Sequence, residues 1–343
     1  MALYPLLRPL VFGLDAERAH GLTLRALKAL PAGKAAGPDP ALAIKVAGLD
    51  FPNPVGLAAG FDKNAEVFAQ VLRLGFGFAE VGTLTPLPQV GNPKPRLFRL
   101  VEDRAVINRM GFNNEGQQAA LVRLQRRARN GIVGVNIGAN KDSANRIVDY
   151  SAGVAAMTGV ADYLTVNISS PNTPGLRALQ DKAALDELLA AVAEARGAGP
   201  PIFLKVAPDL EPAEIDDIVA VATRRKIDAL IVSNTTISRP HLRSKFRGEG
   251  GGLSGAPLKA LALQRLKDFR AASGPSMPLI AAGGIENGVD AYDRIRAGAS
   301  LVQVYSALVY QGPGLARSIA SELKRLLRRD GFARLEEAVG ATG

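Results

Sequence analysis

Residues 202–233, IFLKVAPDLEPAEIDDIVAVATRRKIDALIVS, hold the pattern that decides the fold. IFLKVA (202–207) and DALIVS (228–233) are short apolar runs rich in β-branched residues, the signature of buried strands. Between them, AEIDDIVAVATRR (213–225) places apolar residues three and four apart, the period of an amphipathic helix. Near-continuous apolar strands separated by helices belong to a parallel sheet covered on its faces.

The same unit recurs in both directions. PVGLAA (54–59), FAEVG (78–82), IVGVNI (132–137) and DYLTVNI (162–168) precede it, and PLIAAG (278–283) and SLVQVY (300–305) follow, making eight runs. Helix-like stretches lie between them, among them AEVFAQVLRL (65–74), AALDELLAAVAEA (183–195) and AYDRIRAG (291–298). Eight βα units closing on themselves predict an α/β fold, the (β/α)8 TIM barrel, which uses roughly 250 residues. An open doubly wound sheet is the alternative, but no G-x-G-x-x-G opens a first helix. Residues 1–30 read as two short helices and PAGKAAGPDP (31–40) as a turn-rich linker. The expected division is therefore a helical extension over 1–40 and a barrel over 41–343.

Composition narrows the function classes. The 343 residues include 42 Lys+Arg and 32 Asp+Glu, a net charge of +10, with 47% apolar and 22% charged residues, the balance of a folded domain. Cysteine is absent, which excludes disulfides, thiolate zinc sites, Cys-ligated iron–sulfur clusters and a Cys nucleophile or base. Only His20 and His241 could supply imidazole, so a His-rich metal site is excluded and no metal is expected. No apolar run approaches the ~20 residues that span a bilayer. The apolar start is broken by Pro5, Arg8 and Pro9, and no secretory signal is expected. The basic excess suits a phosphate-bearing ligand, nucleic acid or an anionic membrane surface. With 5% aromatic residues and no Trp, stacking platforms for single strands are poorly supplied.

In this barrel, active sites lie at the C-terminal ends of the strands. The residues there are Gly60 with Lys63; Thr83; Asn136; Asn167 with Ser169 and Ser170; Lys205; Ser233 with Asn234 and Thr235; Gly283 with Gly284; and Tyr305 with Ser306. Turns also favour Asn, Ser and Gly, so part of this pattern is expected of any strand end. Lys205 is different, because it sits inside a buried apolar strand. It needs either an anionic or delocalised ligand or a salt bridge, for which Glu80 is the candidate. The last two strand ends and GGLSG (251–255) offer bare backbone N–H groups suited to a phosphate. Asn108, Asn136, Asn167, Asn172 and Asn234 carry paired donors and acceptors that suit a planar ring with alternating N–H and C=O edges. Ser170, in NISSPNTPGLR, reads either as a turn former or as a base. It lacks a nucleophile elbow and a triad histidine, so as a base it needs a dry pocket and an acidified substrate proton, with Thr173 close enough to relay it.

Nine stretches together are specific. AAGFDKN (58–64), EVGTLTPLPQVGNPKPRLFRL (80–100), INRMGFNN (107–114), NISSPNTPGLR (167–177), Lys205, VSNTT (232–236), GGLSG (251–255), AAGGI (281–285) and LVQVYSALVY (301–310) closely resemble, in order, the second-class dihydroorotate dehydrogenases, the membrane-associated, quinone-linked form. The resemblance implies oxidation of (S)-dihydroorotate to orotate in pyrimidine (UMP) synthesis, with FMN as cofactor and ubiquinone or menaquinone as acceptor. It implies that Ser170 takes the C5 proton while the C6 hydride passes to flavin N5. The missing cysteines agree, since the first class uses a Cys base.

The same likeness assigns FMN to Ala59, Gly60, Phe61, Asp62, Lys63, Thr83, Asn136, Asn167, Lys205, Ser233, Gly255, Gly284, Tyr305 and Ser306. It assigns the substrate to Lys63, Asn108, Arg109, Met110, Gly111, Phe112, Asn167, Asn172, Asn234 and Thr235. His20 and Arg99 resemble the residues near the quinone ring. The extension would then form a quinone mouth, its apolar face over residues 3–30 against lipid and Arg8, Arg18, Arg25 and Lys28 at anionic headgroups; alternatively it caps the barrel bottom. The expected setting is a peripheral protein on the cytoplasmic face of a bacterial inner membrane, with no nucleic acid and no obligate protein partner. An RNA-directed dihydrouridine synthase would need a Cys acid, and a non-enzymatic membrane scaffold would not need so many polar strand ends.

Overall fold

The computed structural model describes residues 4–33 and 35–341. Leu3, where the expected lipid-facing stretch begins, lies outside them, as does Lys34 in the linker. Two helices come first, α1 (Tyr4–Gly13) and α2 (Ala16–Lys28). Asp15 caps α2, its carboxylate accepting from Arg18 N at 2.9 Å.

Eight parallel strands then close a barrel in chain order: β1 (Val55–Leu57), β2 (Phe78–Leu84), β3 (Ile132–Ile137), β4 (Tyr163–Asn167), β5 (Ile202–Val206), β6 (Ala229–Val232), β7 (Leu279–Ala282) and β8 (Leu301–Val304), with β8 paired to β1. Each falls on one of the eight apolar runs, because a strand buried on both faces has no room for a polar alternation. The helices match less evenly. The stretch 65–74 is helical only over Phe68–Arg73, because Asp62 uses its carboxylate to hold the amides of Glu66 and Val67 in the preceding turn.

The barrel interior is filled rather than open. Tyr163 stacks on Phe203 with centroids 4.4 Å apart, and Phe78 and Phe51 continue the column downward. Gly134 makes this possible, for a Cβ there would lie 2.0 Å from the Tyr163 ring. Phe51 belongs to an antiparallel hairpin (Ile44–Val46 and Leu49–Phe51) that closes the bottom. On the opposite rim, Leu97–Leu100, Ala105–Asn108 and Gly252–Gly255 form a small antiparallel sheet.

The two N-terminal helices sit at this upper rim, which rules out their capping the bottom. Glu17 on α2 forms a two-point ion pair with the buried Arg96, at 2.6 and 3.1 Å. Arg99 donates to the carbonyls that end α1, Val11 at 3.0 Å, Phe12 at 3.3 Å and Leu14. Tyr4 bonds the carbonyl of Val309, and Phe12 meets Tyr310 edge-on at 5.6 Å.

Candidate active site

A cavity of about 660 Å³ runs from the ends of the barrel strands up between α1 and α2. Its floor contains Lys205, Asn167, Thr83 and Gln303; its sides contain Ser170, Asn172, Asn108, Asn234 and Thr235. Gly255, Gly284, Tyr305 and Ser306 form one end, and Ala59, Gly60, Phe61 and Lys63 another part of the wall. Ser233 joins the floor, and Met110, Gly111 and Phe112 the wall beside Asn108. His20 and Arg99 line the upper part, among Tyr4, Leu7, Val11 and Leu30.

Three expected residues lie elsewhere. Asn136 is fully buried, bonded to the floor residues Thr83 and Asn167 but not itself lining the cavity. Asp62 is also buried, serving the turn described above, and burial raises its pKa to about 6. The Arg109 side chain turns outward to Glu249 at 2.7 Å and covers the Phe98 ring at 4.6 Å.

The floor is a hydrogen-bonded polar layer. Asn136 Oδ1 accepts from Thr83 Oγ1 at 2.6 Å and from Asn167 Nδ2 at 3.1 Å. Asn167 Oδ1 accepts from the hydroxyl of Ser169 at 2.7 Å, and Asn234 Nδ2 donates to that hydroxyl at 2.8 Å. Lys205 is not part of it. Glu80 is bonded to Asn136, Tyr163 and Gln303, and no salt bridge between Glu80 and Lys205 forms. Among the described residues nothing hydrogen-bonds the Lys205 ammonium; burial lowers its pKa, opposed by the charge of Glu80. Of the two readings of Lys205, the geometry favours a ligand contact.

Lys63 is half-buried, and desolvation lowers its pKa to about 8, while Glu17 opposes that shift. His20 meets Phe61 edge-on at 5.3 Å. Burial first, then Lys63, lowers its pKa to about 4, so the ring is neutral at pH 7. Its Nε2 is buried without a partner. Ser170 Oγ accepts from Asn172 N at 3.2 Å, and no acceptor for its own proton exists among the described residues. Thr173 is buried, its hydroxyl without a hydrogen-bond partner. His241 is exposed on a surface loop, so no imidazole serves Ser170 from there.

Sequence reasoning missed the side chains that shape the wall. Gln89 Nε2 donates to the carbonyls of Gly111 (3.0 Å) and Phe112 (3.1 Å), and Asn114 Nδ2 to Phe112 at 2.7 Å. They hold Phe112 at φ 51°, a left-handed conformation that a phenylalanine does not keep unaided. Asn92 Nδ2 ties the carbonyls of Arg109 and Asn172 at 3.0 and 3.3 Å. Gln303 was missed as well. Nothing in one sequence separates these amides from ordinary turn residues.

A closed barrel with a polar floor, an unpartnered buried lysine and an apolar throat forms one pocket with two chemically different ends. The sequence profile of the dihydroorotate dehydrogenase family matches residues 41–327. The chain is 65% identical over 99% of its length, and 97% of the other's, to a protein of Sphingopyxis alaskensis named dihydroorotate dehydrogenase (quinone). It is 63% identical to the one of that name from Novosphingobium aromaticivorans, covering 99% of this chain and all of the other. Among solved structures it resembles the Eimeria tenella DHODH in complex with ferulenol, with a TM-score of 0.91 and 44% identity, over 96% of this chain and 98% of that one. The chain belongs to the dihydroorotate dehydrogenase family, in its quinone-linked class, and is an oxidoreductase.

Proposed function

We propose that the protein oxidises (S)-dihydroorotate to orotate in pyrimidine synthesis, with FMN at the barrel mouth and a membrane quinone as final acceptor. The observation that carries this is one continuous cavity joining a polar floor to an apolar throat. The residues fit FMN: the free ammonium of Lys205 and the unpartnered Gln303 Oε1 offer a donor and an acceptor to a polar ring. At the cavity's end, a Cβ on Gly284 (φ 70°) would lie 2.3 Å from Lys259 Cα, so only a glycine fits. Ser306, Gly255 and Gly284 would take the phosphate. FMN held by these residues would supply a hydride acceptor for the substrate and an electron donor for quinone.

The chain's own groups do the rest. The ammonium of Lys63 pairs with the substrate carboxylate. Asn108, Asn172 and Asn234 read the ring edges, and Thr235 adds a hydroxyl. Ser170 Oγ takes the C5 proton, with the Thr173 hydroxyl as its onward acceptor. Lys205 places positive charge where the ring gains electrons. Neutral His20 and Arg99 bound the quinone end.

Residues 1–40 form the quinone-access and membrane segment, and 41–343 the catalytic barrel. Leu6 and Leu10 are each 73% exposed, and α1 buries no residue, an arrangement that suits an anionic lipid surface. Among the described residues no helix is long and apolar enough to cross a membrane. We place the protein peripherally, on the cytoplasmic face of a bacterial inner membrane. The test is anaerobic mixing with dihydroorotate, then addition of quinone or NAD. Flavin bleaching followed by recovery with quinone alone is expected; protein that stays colourless with FMN supplied would end the reading.

A further inference from the structure

Arg177 closes the NISSPNTPGLR stretch but does not line the cavity. It lies on the short helix Leu176–Gln180, past the loop that carries Ser170. Its planar guanidinium donates in three directions: Nε to the carbonyl of Ser169 at 3.1 Å, Nη1 to Asp209 Oδ2 at 2.9 Å, and Nη2 to the carbonyl of Thr235 at 3.1 Å. These partners stand on the loops after β4, β5 and β6. The loop after β6 is secure without Arg177. Thr236 and Leu253 exchange backbone bonds at 3.1 and 2.8 Å, and the Asp209 carboxylate accepts from the Thr236 hydroxyl and from Ile237 N. Asn172 is secure as well, its carbonyl accepting from Asn92 Nδ2 at 3.3 Å and its Nδ2 donating to Asn108 Oδ1 at 3.2 Å. Between those fixed points the amide and hydroxyl of Ser169 donate to Asn167 Oδ1, but its carbonyl has no donor other than Arg177 among the described residues. That carbonyl sets the plane of the peptide leading into Ser170.

We propose that Arg177 is a positioning residue that transfers the fixed position of the Thr235 carbonyl to the Ser169–Ser170 peptide, and so aims the Ser170 hydroxyl at the substrate proton. Asp209 is its counter-ion and keeps the fork turned toward both carbonyls. A lysine does not replace it, because an ammonium is a point charge and does not span the partners of a planar fork. Asn172 and Asn234 keep anchors of their own, Asn234 through its amide on the carbonyl of Val206 at 3.0 Å. The loss of Arg177 therefore falls on the rate of proton removal more than on binding of the ring. The inference rests on the reading of Ser170 as the base.

The test compares wild type, Arg177→Ala, Ser170→Ala and the double variant, each loaded with FMN. Stopped-flow bleaching of the flavin by saturating dihydroorotate should be about ten- to a hundredfold slower in Arg177→Ala, the loss expected when a reacting group is misplaced. Orotate affinity, read from the flavin absorbance change, should stay within about threefold of wild type. In the Ser170→Ala background the same substitution should change the bleaching rate by less than about threefold, because no base is left to aim. A general structural role slows both backgrounds alike. Arg177→Lys leaves a cation beside Asp209 and should be slow as well; it carries the same comparison if Arg177→Ala does not fold. The proposal is overturned by a wild-type rate in a folded Arg177 variant, by equal slowing in both backgrounds, by orotate affinity that falls with the rate, or by the failure of both variants to fold. An undiminished rate in Ser170→Ala removes the base itself and the role of Arg177 with it. A slow Ser170→Ala that slows again on loss of Arg177 removes the positioning role alone.

Discussion

The floor and the throat of the cavity are built by opposite rules. At the floor, Thr83, Asn136, Asn167, Ser169 and Asn234 hydrogen-bond one another, so these five side chains are held before any ligand arrives. In the throat, α1 buries none of its residues and leaves Leu6, Leu7 and Leu10 at least half exposed. It is tied to the rim by its backbone carbonyls on Arg99, and α2 by the Glu17–Arg96 pair. A preorganised floor suits discrimination of a small polar ring. An apolar throat with few directional bonds suits a hydrophobic co-substrate of less defined orientation.

If that contrast holds, damage at the floor stops chemistry and damage at the throat stops only reoxidation. Ser170→Ala should retain FMN and lose turnover by about 10²–10⁴-fold near neutral pH, the range general-base catalysis supplies. Stopped-flow reduction of the flavin by dihydroorotate checks it, and an undiminished rate removes Ser170 from its role. Removal of residues 1–40 should leave that half-reaction and dihydroorotate binding in place. Quinone reduction and liposome binding should fall by about tenfold or more, because each leucine withdrawn from an apolar surface costs roughly 1.5–3 kcal/mol. Full quinone turnover by the truncated chain would erase the distinction between the two regions.

The two regions were also unequally legible. All eight barrel strands lie on apolar runs because burial on both faces leaves a mark that needs no partner to read. The rim residues stood out for their types, and the order of the strands told where they would meet. What could not be read was direction. Arg109 sits among substrate-contact motifs, yet its side chain pairs outward with Glu249, a residue 140 positions away. Asp62 looks like a cofactor contact in AAGFDKN but holds a turn. Glu80 was legible only as a partner for Lys205; its bonds to Asn136, Tyr163 and Gln303 depend on four different strands arriving at one layer. The helices α1 and α2 were visible as elements, but their placement on the upper rim depends on Arg96 and Arg99, which no local pattern links to them.

A smaller effect tests the charge in the wall above the floor. Lys63 has its pKa lowered to about 8. It is an ammonium below that pH and neutral above it, so a carboxylate ligand is held at lower pH and released as pH rises. Orotate affinity should be flat below about pH 8 and then fall toward tenfold per pH unit. Flavin absorbance titrations from pH 6.5 to about 9.5 would show the break; affinity that stays level across the range would mean Lys63 does not carry the carboxylate.

The least of the expected effects joins the two regions. Glu17 belongs to α2, but its negative charge raises the pKa of Lys63, whereas the neighbouring Arg96 lowers it. Glu17→Gln keeps a hydrogen-bond acceptor for Arg96 and removes the charge. Lys63 then feels Arg96 without its counter-ion, and its proton is held less tightly. The break in orotate affinity should move to lower pH, with the low-pH affinity nearly unchanged, because Glu17 itself does not line the cavity. The direction matters more than the size: surface-type screening makes the shift small, and added salt should shrink it further. A break that stays in place would mean that α2 guards the entrance and has no influence on the chemistry below, whereas a break that moves upward would require Lys63 to be governed by a group other than this ion pair.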